Sequence, residues 1–477
     1  MKKGSKFFRE LNVIVYIIAI AAVLSLASCN RDNGASSSKE DVFRVMPRED
    51  GKSLEIIRYT GVKQSVNIPS RLHGMPVTRI GDGVFSGKEL IAVTIPNGIT
   101  EIGNRAFIGN MLTKVTIPNS VTTIGDGTFA SNNLISVKIG NSVTAIGNSV
   151  FSENNLSTVT IPNSVTAIGN GAFYGNQLKS VVIPNSVTSI GNNAFRDNYL
   201  TKITIGSKVT YIGEHAFRDN LLTNVTIPNS VIIIDAGAFL GAWDDENKKP
   251  LGTVTSVSIG NGVTTIGDRA FENNVITSVK IPNNVSYIGE LSFADNQIDS
   301  VTIPASVTSI GGMAFAANPL TNVSIDTNNT TYTVKGSFIM SKDEKQTIWY
   351  FGSEKSVTIP DGVTVIGDRS FAGNQLNSVS MPDSVILIMS GAFRDNKITD
   401  IIIPNNVQTV ESGAFSGNQI IKIKIGANVQ GASNINSRFG DQYNRDRNSY
   451  YYDGNSLGRA AGTYALQGRD WVVQTER

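Results

Sequence analysis

A phenylalanine returns every 22 residues. It stands at 85, 107, 129, 151, 173, 195, 217 and 239, then at 271, 293 and 315, and again at 371, 393 and 415. Around it recurs the pattern L-x-x-V-x-I-P-x-x-V-x-x-I-G-x-x-A-F-x-x-N-x, as in Leu112–Asn133. A fixed period of this size is the mark of a solenoid, in which each unit buries its apolar face only by stacking on its neighbours. Length is then set by copy number, and the roughly three domains that 477 residues would otherwise suggest do not apply.

One unit reads as a closed coil. Leu112, Val115 and Ile117 alternate with polar residues, the period of a short strand with its apolar side turned inward. Pro118 ends that strand because proline has no amide hydrogen for a ladder. Val121 and Ile124 form a second apolar pair. The Gly125 slot is glycine in 11 of the 14 Phe units, Asp235, Met389 and Glu411 being the exceptions. Such a slot implies either a positive φ or close backbone packing. A single helical or 3₁₀ turn is expected to carry Phe129 into the core. The Asn132 slot is Asn in 12 of the 14 units, failing at Lys88 and Ala242. Its side chain is expected to satisfy buried backbone groups at a corner, with a metal or sugar ligand as the alternative. Each fully buried large side chain contributes roughly 1.5–3 kcal/mol before ordering entropy is set against it. The fold class is therefore mainly β with short helical turns, a solenoid of about fifteen 22-residue coils forming a curved rod of roughly 70 Å at the spacing of stacked strands.

The N-terminus is different in kind. Lys2, Lys3, Lys6 and Arg9 precede an apolar run from Val13 to Leu26, and Leu26-Ala27-Ser28 leads directly into Cys29. A basic start, a short apolar core and small residues at a cut site are the parts of a secretory signal. The Leu-Ala-Ser-Cys string resembles a bacterial lipobox, which implies cleavage before Cys29 and its acylation; an uncleaved membrane anchor is the alternative. The expected organisation is a signal peptide at 1–28, a flexible tether at 29–46, the solenoid at 47–430 and a terminal cap at 431–477. The formal charge of +2 falls to about −1 on cleavage, which disfavours nucleic acid as a partner. With one cysteine and two histidines, a disulfide framework or Cys-rich zinc site is excluded within the chain. No phosphate loop, no zinc spacing and no nucleophile with a base is present, so an enzyme, a cofactor and a metal are not expected.

The repeated pattern resembles the BspA-like, or treponemal-type, leucine-rich repeats. The resemblance spans about Leu54 to Ile425, includes the entry piece IPSRLHGMPVTRIGDGVF, and extends to AGTYALQGRDWV near the end. It implies a bacterial surface or secreted protein, several relatives being implicated in adherence. The implied partners are host matrix or bacterial surface proteins, with the membrane reached through the lipid. A non-adhesive scaffold of the envelope is the alternative. Where many relatives carry Cys, this chain has the Asn132 column, which favours a structural use of that slot.

Two interruptions break the period. Residues 242–251 (AWDDENKKPL) add ten residues between Phe239 and Phe271, expected as a polar bulge. Residues 326–356 lie within a 56-residue gap between Phe315 and Phe371 and read as two strands around the turn Ser341–Lys345. The three tryptophans, Trp243, Trp349 and Trp471, all fall outside the regular units. Trp243 and the run Trp349-Tyr350-Phe351 are candidate partner contacts; the competing reading is that these rings anchor the insertions onto the array. The tail is expected to cover the open end of the last coil with Trp471 buried there; stacking of Tyr450–Tyr452, with Arg445 and Arg447, on sugars or bases is the alternative.

Overall fold

The computed structural model describes residues 42–244, 249–429, 462–467 and 470–474, and the chain divides at Phe43/Arg44 into two units. The expectations for the signal peptide, for Cys29, for most of the tether and for Tyr450–Tyr452 lie outside the described residues. The second unit is a β-solenoid of about 17 turns rather than fifteen, because the entry segment and the second insertion supply turns of their own.

Most coils carry two short strands; those at Val159 and Val279 keep only the second. The first, such as Lys114–Thr116, pairs in parallel with its equivalent one period later, Val115 opposite Val137. The second, such as Thr123–Ile124, builds longer ladders; one runs through eight coils from Ala145–Ile146 to Ser309–Ile310. The Leu, Val, Ile and Phe positions read as inward are buried: Leu112, Val121 and Phe129 are each at 0% exposure. The rings of Phe85 to Phe315 form a continuous stack with centroids 5.0–5.8 Å apart. Each such pair adds about 0.5–1.5 kcal/mol beyond its buried area.

No helix occurs among the described residues, so the expected helical turn at the Phe is corrected. The reason is conformational. The residue two before each Phe is left-handed in all 14 units, whether it is Gly127 (φ 62), Arg105 (φ 53), Leu291 (φ 55) or Met313 (φ 58). Left-handed backbone cannot continue a right-handed helix. It lets alternate amides point along the stack: Arg105, Phe107 and Gly109 donate to the carbonyls of Asp126, Thr128 and Ala130 at 2.8, 2.8 and 3.0 Å. The turn is thus a third hydrogen-bonded side of the coil. The Gly125 slot, by contrast, is not left-handed. A Cβ there would sit 2.5 Å from the Asn104 amide nitrogen, so close packing is what calls for glycine.

The Asn column does what a corner requires. Asn132 Nδ2 donates to the carbonyls of Phe107, Phe129 and Ala130 at 2.9, 3.2 and 3.2 Å, and Oδ1 accepts from the Leu112 amide at 3.1 Å. A second column went unread in the sequence. Three residues before the Phe, Asp82, Asn104, Asp126, Asn148, Asn170 and Asn192 each accept from the amide of the equivalent residue in the next coil, as Asp126 Oδ1 does from the Asn148 amide at 2.7 Å. Threonines after the Val121 slot form a third column: Thr122, Thr166, Thr188 and Thr210 donate back to the preceding coil's carbonyl at 3.1–3.2 Å.

The ends use antiparallel strands. At the entry, Arg71–Leu72 pairs with Met75–Pro76 across His73 and Gly74, both left-handed (φ 49 and 80), the geometry of a tight two-residue hairpin. This absorbs the extra residues of the first unit. At the far end, Gly462–Gln467 pairs antiparallel with Lys422–Ile425, and Asp470–Gln474 adds outside it.

Candidate interaction surface

The structure places three of the four ring-bearing candidates. Trp349 and Tyr350 are buried, at 5% and 2% exposure, and are corrected as partner contacts. Their rings are spent on the stack: Trp349 lies 5.5 Å from Phe315 and Tyr350 lies 5.4 Å from Phe371. Phe351 is half-buried, 5.7 Å from the Trp349 ring. The tight packing follows from the fold of this insertion. Tyr332–Lys335, Phe338–Ser341 and Gln346–Tyr350 form an antiparallel meander whose last strand pairs in parallel with Val365–Ile366. The hairpin around Ser341–Lys345 is present as expected, while Tyr332–Lys335 is a strand the sequence reading missed. Asn329 pins the start, donating to the carbonyls of Pro304 and Val307 and accepting from the amides of Thr331 and Tyr332. The segment stands in place of a coil.

Of Trp243 the structure describes the backbone alone. Trp243–Asp244 pairs antiparallel with Lys249–Pro250, a hairpin between coils, closed by the Leu251 amide donating to the Ala242 carbonyl at 2.7 Å. Beside it lies an apolar group that sequence reasoning missed. Tyr199 (56% exposed) and Leu221 (44% exposed) occupy one slot in successive coils, and Leu251 (49% exposed) follows the hairpin, two residues before Thr253, whose hydroxyl donates to the Leu222 carbonyl at 2.7 Å. The signal was available: Asn133, Asn155 and Gln177 fill that slot in the preceding coils, and the change to Tyr and Leu occurs just before the insertion.

Charge on the Phe turns of these coils is crowded. Arg218 Nε lies 3.2 Å from Asp219 Oδ2, Arg196 Nε lies 3.6 Å from the same oxygen, and Arg269 pairs with Glu272 at 3.0 Å. Burial pushes the carboxyls of Asp197, Glu272 and Asp295 above the usual range, the Asp219 charge adding to the effect at Asp197. Burial lowers the His215 pKa, and Arg218 lowers it further. Tyr211 is pushed up to about 12 by burial and by its hydrogen bond to Asp235 at 2.5 Å. Arg196–Asp219 and Tyr211–Asp235 join neighbouring coils, and the Arg218–Asp219 and Arg269–Glu272 pairs lie within single turns. Among the described residues no group of three or more His, Cys, Asp or Glu is placed to hold a metal, and no helix is long and apolar enough to cross a membrane.

The family described as the BspA type leucine rich repeat region (6 copies) matches residues 63–178, 166–244, 251–350 and 344–438, well over half of the chain. The chain belongs to this BspA-type family. Its members are leucine-rich-repeat scaffolds, and the coil geometry above is that scaffold written in 22-residue steps. Solved structures similar to the chain include a leucine-rich repeat protein from Bacteroides ovatus, 18% identical, covering 85% of this chain and 90% of that one with a TM-score of 0.47. Another, from Eubacterium ventriosum, is 21% identical over 80% and 93% of the two chains, TM-score 0.40. A leucine rich cell surface protein from Faecalibacterium prausnitzii is 22% identical over 84% and 91%, TM-score 0.36. The chain matches none of the curated proteins compared with it.

Proposed function

We propose that this protein is a lipid-anchored surface scaffold whose array binds protein partners in adhesion to host matrix or to other cells, with no chemistry of its own. One observation carries the binding half of the reading. The inward rings, the Asn column and the threonine column are all consumed by the coil, whereas Tyr199, Leu221 and Leu251 leave large apolar groups exposed near the paired strands Trp243–Asp244 and Lys249–Pro250. Exposed aromatic and aliphatic anchors beside a polar loop are the composition of a contact centre with its rim. The anchoring half is supported by the Leu-Ala-Ser-Cys string at Cys29. One acyl chain binds membranes only marginally, so stable attachment calls for more than one chain on that cysteine.

The experiment is capture of partners from host matrix and from bacterial surface extracts by the purified protein, repeated with Tyr199→Ser/Leu221→Ser. Wild-type capture that the double variant loses supports the reading; capture from neither source contradicts it. Cys29→Ala should abolish fatty-acid labelling, and labelling that persists contradicts the anchor. The threonine columns favour a second reading, a structural part of the envelope, since their hydroxyls are used within the stack. Protease added to intact cells separates the two: a displayed scaffold is cut, and an inward-facing one survives.

A further inference from the structure

Charge is sorted between two sides of the coils. Take the eight segments of the first side from Thr113–Thr116 to Thr277–Lys280, six of which contain strands. They carry Lys114, Lys138, Lys179, Lys202 and Lys280, with no acid, no arginine and no aromatic residue. Over the same coils, the Phe turns from Gly125–Ser131 to Gly289–Asp295 carry ten Asp or Glu against three Arg. Net charge hides this division, because the two sides nearly cancel.

Register places Lys114, Lys138 and Lys202 on one face, and Lys179 and Lys280 stand in the equivalent segments of their own coils. Strand register sets Lys138 opposite Thr116 and Lys114 opposite Ser136, with Val115 opposite Val137 on the other side; Lys202 likewise faces Ser180. All five lysines are exposed. Among the described residues, no carboxylate lies within 4.0 Å of any of their ammonium groups, whereas the arginines of the turns at Phe195, Phe217 and Phe271 all have acidic neighbours. The strip covers seven coil steps, about 34 Å at the spacing of stacked strands. It stops at the next coil, where Asp299 enters the equivalent segment.

We infer that this strand face is a binding strip for an extended anionic polysaccharide, one bearing uronate or sulfate groups. Three properties select that class. Lysine presents a point charge on a flexible stem, suited to anions spaced along a chain rather than to one bidentate contact. Serine and threonine hydroxyls between the lysines offer both donors and acceptors to sugar hydroxyls. The face lacks the aromatic rings on which bases stack and the Trp, Tyr and Arg anchors of protein hot spots. A nucleic-acid duplex fits poorly, with about one phosphate charge per 1.7 Å against five lysines in the strip, and with the acidic turns of the same coils repelling so wide a partner. The strip lies wholly within the array and depends neither on Cys29 nor on the apolar group at Tyr199. The protein-binding proposal and this one therefore fail separately.

The test uses the purified full chain on immobilised heparin, on immobilised polygalacturonate and on neutral dextran, with duplex DNA as a fourth arm. Retention is expected on one or both charged polysaccharides at low salt and none on dextran. Release is expected before roughly 1 M salt, where the screening length is about 3 Å. The variant K114Q/K138Q/K179Q/K202Q should bind on the order of tenfold more weakly or worse, taking a modest contribution per cation at an anionic surface. Lys342→Gln, in the meander turn, should bind as wild type. Should circular dichroism show the quadruple variant unfolded, Lys138→Gln and Lys202→Gln alone are read, each expected to weaken binding a few-fold. Equal binding by the lysine variants, retention on dextran, failure of both charged polysaccharides, or lysine-dependent binding to DNA alone would each overturn the inference.

Discussion

The two interruptions of the period behave in opposite ways. Across residues 242–251 the stack does not register the insertion. Phe239 and Phe271 sit 5.3 Å apart at 3°, Asn274 Nδ2 reaches the Phe239 carbonyl at 2.9 Å, and Ile233–Ile234 pairs with Thr265–Ile266 as any neighbours would. The insertion begins at a corner just past the Phe239 turn, where no ladder has to be broken. Across 326–356 the ladder ends at Ser309–Ile310 and resumes only through the meander, which must bring its own rings and strands. Asn374, the first column asparagine after the break, keeps a single long bond, to the Ala372 carbonyl at 3.5 Å. Position within the coil thus decides whether an insertion spares the ladders or is bound into the core.

The largest expected effect is at the ring that bridges the second break. Trp349→Ala removes the partner of Phe315 and leaves a cavity between two halves of the array; we expect a loss of about 3–5 kcal/mol in urea unfolding. A loss under about 1 kcal/mol would mean that the meander is an ornament and would erase the contrast.

Next come two asparagines in the same slot. Asn198→Ala strips donors from the carbonyls of Phe173, Phe195 and Arg196 and an acceptor from the Leu178 amide, all buried or nearly so. Leaving buried backbone groups unpaired should cost about 3 kcal/mol. Asn374→Ala, with one marginal bond to lose, should cost less than about 1 kcal/mol. Equal costs in parallel denaturation curves would show that the break leaves the column intact.

A smaller effect sharpens the description of the undisturbed coils. Burial holds the Asp295 carboxyl above the usual range, so the folded protein binds that proton more tightly than the unfolded chain. Its contribution to stability is fullest below the ordinary carboxylate value and declines as pH rises through the window up to the raised one. Asp295→Asn, which suits the left-handed backbone there (φ 54), should stabilise the protein at pH 7 by less than about 1 kcal/mol once solvent screening is allowed for. The gain should vanish by about pH 3, where both states bind the proton. Urea midpoints at the two pH values check the sign.

Much of this was legible before any coordinates. The period, the inward Leu, Val, Ile and Phe, the proline corner and the asparagine column follow from residue types with one dominant use each. The left-handed residue ahead of every Phe was not legible, because Arg105, Ser149, His215 and Met313 share no composition that marks positive φ; only stacking against the next coil selects it. The accepting column from Asp82 to Asn192 was hidden because Asp and Asn at an exposed turn look like ordinary turn residues. Trp349 and Tyr350 look like contacts when read locally and become core only because the meander replaces a coil. Tyr199 and Leu221 carried a signal, a polar slot turned apolar, that becomes visible once the coils are aligned by slot.

Thermal unfolding of two shortened chains tests the central contrast most directly. Replacing Trp243–Pro250 with two glycines should leave a single transition within about 2 °C of the parent, since no stacked group is lost. Replacing 327–353 with a short glycine linker should remove Trp349 and Tyr350 and split the melt in two, or lower it by about 10 °C or more, as the halves of the array lose their shared core. The opposite order, a large shift from the first replacement and a negligible one from the second, would contradict the account.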